Sequence, residues 1–155
     1  MVARKNDQIV NKIERYCAFQ ERCRQDVSIK LQQLGIRDDS EKEKIIRQLE
    51  LKRFVDEARY AKAFARDKFN LHQWGKIKIG LALQGKNIPV NLIDKALSEI
   101  DSKEYSRILK MLFEKKGVEL KDIEDSFIKK NRLAGYLEGK GFEAELIWTL
   151  IEKRG

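Results

Sequence analysis

Nine basic residues against three acidic ones lie between positions 52 and 86, so this stretch carries a net charge of +6. Within it Arg59, Lys62 and Arg66 recur at i, i+3 and i+7, the spacing that brings side chains to one face of an α-helix. Lys68, Lys76, Lys78 and Lys86 extend the run, and Trp74 sits among them. Guanidinium and ammonium groups at this density suit docking onto a polyanion: nucleic acid, an acidic protein surface, or a protein–DNA filament that offers both. Aromatic rings interleaved with such cations can stack on the bases of a single strand. Tyr60 and Phe64, at i and i+4, read instead as core packing. That leaves Trp74, in a polar loop, as the ring available for stacking or docking.

Other chemistry is poorly supplied. His72 is the only histidine, and one imidazole without a cysteine or carboxylate cluster makes neither a metal site nor a triad. Cys17 and Cys23 are six apart, which is neither one helical face nor a common metal spacing, and they read as reduced thiols in the interior. Gly135, Gly139 and Gly141 lack the lysine-serine pair and the preceding strand of a phosphate-binding loop. The expectation is a protein with no catalytic centre, no metal and no cofactor. No run approaches the roughly 18 apolar residues that cross a bilayer. No secretory signal is visible at the first residues, so a cytoplasmic location without membrane contact is expected.

The elements that position these residues are helices. No segment alternates with period two between turns. The 155 residues are 42% hydrophobic and 37% charged, a balance that suits slender helical units with much surface. One pattern occurs three times: Val27-Ser28, Leu31, Gly35-Ile36; Ile79-Gly80, Leu83, Asn87-Ile88; and Leu133-Ala134, Leu137, Gly141-Phe142. Leu31 and Leu83 are 52 residues apart, and Leu83 and Leu137 are 54 apart. Self-similarity at this period marks a repeat architecture. The predicted fold is all-α, with three helical units at 15–50, 54–100 and 104–153. The middle unit holds the charge excess, since residues 1–51 carry 11 basic and 9 acidic residues and residues 87–155 carry 13 of each.

Local signals set the predicted boundaries. Gly35 stops a helix from the C′ position. Asp38-Asp39-Ser40 with Glu43 resembles a capping box, and Asp56 caps a helix from Glu57 to Phe69. Asn70 to Gly75 forms a loop, and Pro89 falls in the first turn of the next helix. A helix from Tyr105 ends at Gly117. The small residue in each copy (Ser28, Gly80, Ala134) suits close helix crossing, since a mid-helix glycine otherwise costs about 1 kcal/mol.

The middle copy also has a family resemblance. Val55-Asp56-Glu57-Ala58-Arg59-Tyr60-Ala61-Lys62-Ala63-Phe64, Arg66, Gly75-Lys76-Ile77-Lys78-Ile79, Leu83 and Gly85-Lys86-Asn87-Ile88 together resemble the middle repeat of the RecX family of bacterial recombinase regulators. Val55, Glu57 and Tyr60 are conservative departures, and Asn87 stands where that family usually has glycine. Arg22, Ser28, Leu31, Gly35 and Ile36 look like its first repeat, and Leu137, Gly141 and Phe142 like its third. The resemblance implies three tandem three-helix repeats in an elongated, curved molecule, and a polar, slender array of that kind is expected to be a monomer. It implies binding to RecA and to RecA filaments on single-stranded DNA, with modulation, usually inhibition, of strand exchange and ATP hydrolysis during DNA repair. It implies no active site and no cofactor. The basic run and Trp74 would then meet the filament, through RecA or through direct nucleic-acid contact. A stand-alone helical DNA-binding protein is the alternative, although Val90-Asn91-Leu92-Ile93-Asp94 makes a poor recognition helix. A scaffold unrelated to recombination is a further alternative.

Overall fold

The computed structural model describes residues 2–154, with side-chain surroundings for 6–153, and every regular element among the described residues is a helix. In chain order these are α1 (Val2–Phe19), α2 (Arg24–Gln33), α3 (Asp39–Leu51), α4 (Glu57–His72), α5 (Lys76–Gly85), α6 (Val90–Ser98), α7 (Ser102–Glu119), α8 (Ser126–Gly139) and α9 (Ala144–Arg154).

The thrice-repeated sequence pattern is a helix stop. In each copy the N–H of the apolar residue after the turn donates to the carbonyl of the leucine five residues earlier. Ile36 reaches Leu31 at 2.9 Å, Ile88 reaches Leu83 at 3.2 Å, and Phe142 reaches Leu137 at 3.2 Å. The residue just before that apolar one, Gly35, Asn87 or Gly141, takes a positive φ of 103°, 59° or 97°. This is the Schellman arrangement, in which a left-handed residue lets the chain turn back and satisfy the last carbonyls. Its apolar contact is the leucine with the residue after the turn, and all six of these side chains are buried. Asn87 serves in place of glycine because asparagine visits the left-handed region more easily than other side chains. Arg53 makes the same turn after α3, at φ 63°, with Phe54 N–H on the Leu49 carbonyl at 2.8 Å.

Four helix starts, those of α3, α4, α7 and α8, follow an aspartate. Asp38, Asp56, Asp101 and Asp125 each accept from the N–H three residues on, at 3.3, 3.0, 2.9 and 3.1 Å. This corrects the capping box expected at Ser40 and Glu43: Asp38 is the N-cap of α3, and the Glu43 carboxylate instead meets Arg24 and Arg47. Two ends also differ from expectation. The helix expected to stop at Phe69 continues to His72, which shortens the loop to three residues. The helix expected to stop at Gly117 continues to Glu119, because Gly117 keeps a negative φ and so makes no left-handed turn.

The described chain forms two compact units, Met1–Ala63 with Leu83–Ile93, and Phe64–Ala82 with Asp94–Gly155. In the first, Ile9, Ile13 and Cys17 recur every fourth residue along α1 and join Val27 and Leu31 of α2 and Ile46 and Leu49 of α3 in one core. Burial pushes the Cys17 and Cys23 thiols up to about 11, so both behave as small apolar groups rather than nucleophiles.

In the second unit the start of α5 is docked by its backbone. The first N–H groups of a helix have no partner within it. Here Gly75 N–H donates to the Lys140 carbonyl at 2.8 Å, Lys76 N–H to the Tyr105 hydroxyl at 3.0 Å, and Ile77 N–H to the Gly141 carbonyl at 3.0 Å. The approach is possible only for glycine. A Cβ on Gly75 would stand 2.3 Å from Gly141 backbone, and one on Gly141 would stand 2.3 Å from the Lys78 Cβ. The Tyr105 hydroxyl in turn donates to the Glu143 carboxylate, and the rings of Phe69 and Phe142 pack on Tyr105 at 5.7 and 5.1 Å.

Candidate partner-binding surface

Trp74 is placed by the way α4 ends. Gln73 turns left-handed at φ 58°, its N–H donates to the Phe69 carbonyl at 3.0 Å, and Trp74 N–H donates to the Lys68 carbonyl at 3.0 Å. The indole thereby folds back toward the last turns of α4. Phe64 meets it edge to face at 6.5 Å between centroids, and His72 lies at 6.3 Å. Two ammonium groups approach the ring: Lys68 Nζ lies 4.9 Å and Lys78 Nζ 4.4 Å from its centroid. A third cation is close by. Lys140 donates to the His72 carbonyl at 2.7 Å, and burial together with the nearby Lys78 charge lowers its pKa. Among the described residues none of Lys68, Lys78 and Lys140 makes an ion pair. Two cations on the indole ring and a third at the adjoining His72 carbonyl, with no carboxylate paired to them, form a surface that attracts anions.

The other residues of the basic run fare differently. In the first unit Arg59 Nε meets a Glu21 carboxylate oxygen at 2.5 Å, and its Nη2 donates to the Arg53 carbonyl at 3.0 Å. Lys86 meets Asp26 at 2.8 Å. Burial pushes the Asp26 carboxyl up, but the Lys86 ammonium and the Cys23 N–H outweigh it and hold the carboxyl below its ordinary value. Lys62 is half-buried in the same unit. In the second unit Arg66 is exposed 3.7 Å from the exposed Asp67, and Lys76 lies over the Tyr105 ring at 4.9 Å. So the structure gathers Lys68, Trp74 and Lys78 into one cluster and ties Arg59 and Lys86 into pairs. Two members of the cluster were not singled out by sequence. Phe64 was read as core, and Lys140 lies 62 residues beyond Lys78 with no local motif to connect them.

The first unit also holds a polar groove of about 1180 Å³ between α2, α3 and the starts of α4 and α6. Its wall is a shared ion network: Arg24 meets Glu43 at 2.5 Å and Glu50 at 2.7 Å, and its backbone N–H donates to Glu57 at 3.2 Å. Burial raises the Glu57 carboxyl above its ordinary value despite that hydrogen bond.

A family model described as "RecX, second three-helix domain" matches residues 56–97, the basic copy of the repeat. The Regulatory protein RecX of Prosthecochloris aestuarii is 25% identical over 146 residues, covering 93% of this chain and 91% of that protein. The Regulatory protein RecX of Clostridium beijerinckii is 30% identical over 117 residues, covering 75% of this chain but 54% of that one, so the chain spans about half the length of such relatives. The crystal structure of RecX from Lactobacillus salivarius matches with a TM-score of 0.86 at 26% identity and covers 97% of both chains. A second crystal structure of a regulatory protein RecX, 21% identical with a TM-score of 0.85, shares the fold.

Proposed function

Because this chain belongs to the RecX family of regulatory proteins, we propose that it binds RecA and RecA filaments on single-stranded DNA and modulates, in the inhibitory direction, their recombinase and ATPase activity. The observation that carries the site assignment is the cluster at Trp74. Lys68 and Lys78 lie over its ring and Lys140 bonds the carbonyl of the neighbouring His72, with no carboxylate paired to any of the three among the described residues. Ammonium groups left unpaired in this way are available to acidic recombinase surface or to phosphate. Arg66 and Lys76 lie within the same stretch of sequence and would add to it. Arg59 and Lys86 are reassigned from recognition to holding the first unit together. The helical repeats at 15–50, 54–100 and 104–153 are the units this reading requires, acting as a monomer in the cytoplasm.

RecA-catalysed ATP hydrolysis on single-stranded DNA, followed while this protein is added, tests the reading. Inhibition that weakens as salt is raised is expected. Unchanged hydrolysis at stoichiometric excess contradicts it. Tight, sequence-specific binding to duplex DNA without RecA, seen by gel shift, would favour a stand-alone DNA-binding protein instead.

A further inference from the structure

The second unit carries a second surface apart from the Trp74 cluster. The C-terminal half of α7, the start of α8 and Ile151 of α9 line a groove of about 550 Å³. Its floor is apolar. Phe113, Leu133 and Ile151 are buried beneath it, and Val118 is 64% exposed on its side. Beside it, Phe127 on the first turn of α8 is 75% exposed. Its rim is basic. Lys121, Lys129 and Lys130 line it against one carboxylate, Glu114, and none of the three lysines makes an ion pair among the described residues. Gly117 opens the wall. A glycine inside a helix costs about 1 kcal/mol relative to alanine. A Cβ at Gly117 would meet nothing within 4 Å, so the chain's own packing does not require the glycine.

We propose that this groove receives an acidic segment of a partner protein that carries large apolar side chains. The apolar floor gains by being covered, roughly 25 cal/mol for each Å² removed from water. The lysine rim selects carboxylates and rejects basic segments. Nucleic acid could meet the lysines but brings no large apolar side chains to cover the floor. A second copy of this chain would bring a net charge of +8 toward a basic rim. The site shares no residue with the Trp74 cluster and stands independently of the function proposed there.

Fluorescence anisotropy with the whole chain tests it. The probe is a short fluorescein-labelled peptide in which glutamates alternate with leucine and phenylalanine. Its counterparts carry lysine in place of glutamate, or serine in place of the apolar residues. The acidic, apolar peptide should bind and both counterparts should not. The triple variant Lys121→Glu, Lys129→Glu, Lys130→Glu should weaken binding at least about tenfold. Gly117→Leu, which fills the groove without changing charge, should weaken it as much while circular dichroism shows an intact helical fold. Lys68→Glu with Lys78→Glu should leave it unchanged. The proposal is overturned if the acidic peptide does not bind, or binds equally to both groove variants. It is equally overturned if the groove variants lose only affinity for an oligothymidylate, or if the parent sediments as a dimer that Gly117→Leu dissociates.

Discussion

The two units treat the lysines and arginines of the basic run differently. In the first, one guanidinium, Arg24, serves Glu43 and Glu50 and its backbone serves Glu57, while Lys86 meets Asp26 and Arg59 meets Glu21. In the second, Lys68 and Lys78 lie over Trp74 and Lys140 bonds the His72 carbonyl beside it, none with an ion pair among the described residues. That unit is held instead by backbone contact between Gly75 and the Lys140–Gly141 turn and by the rings around Tyr105. Charge counted along a sequence is therefore not charge available to a partner. Of the excess between positions 52 and 86, Arg59 and Lys86 are matched by acidic groups from the first fifty residues, and the lysines beside Trp74 are not.

The largest effect should come from breaking the scaffold of the second unit. Gly75→Ala forces a Cβ into the Gly141 backbone, and overpacking against backbone should cost about 3 kcal/mol, read as a lower midpoint in urea denaturation. Breaking a pair in the first unit should cost less. Lys86→Met leaves Asp26 without its cation, and for a half-exposed lysine the loss should be about 1 kcal/mol. Because the Asp26 carboxyl is held below its ordinary value, this contribution is full above the unfolded carboxylate range and is lost as pH falls through the lowered value. The gap between Lys86→Met and parent should therefore close in acid. The smallest effect sharpens the contrast from the other side. Burial raises the Glu57 carboxyl, so its charged form is a cost to the fold near neutral pH that is relieved as pH falls through the raised value. Glu57→Gln should melt slightly higher than parent near neutral pH, and that advantage should disappear on acidification.

Much of the fold was legible because its punctuation is local. Leu31, Gly35 and Ile36 announce a helix stop, and Asp56 announces a start, through bonds that span only a few residues. Where local chemistry offers two choices, context decided. Ser40 with Glu43 has the form of a cap, but Asp38 comes first in the chain and Glu43 is drawn to Arg24, 19 residues away. The site was legible only in part for the same reason. The indole of Trp74 and its two nearest lysines lie within one stretch of chain, whereas Lys140 joins them through the docking of Gly75, which no periodicity encodes. The pairing of Arg59 with Glu21 and of Lys86 with Asp26 spans 38 and 60 residues and left no mark on the basic run itself.

The most direct measurement compares two variants in RecA-catalysed ATP hydrolysis on single-stranded DNA. One is Lys68→Glu with Lys78→Glu, which reverses the cations on Trp74 and breaks no ion pair among the described residues. The other is Lys86→Met, which removes a cation already matched within the first unit. With both shown to be folded by circular dichroism, the double reversal should abolish inhibition and Lys86→Met should retain it. Full inhibition by the double reversal, with loss of inhibition by Lys86→Met, would contradict the assignment of the unpaired lysines as the recognition surface.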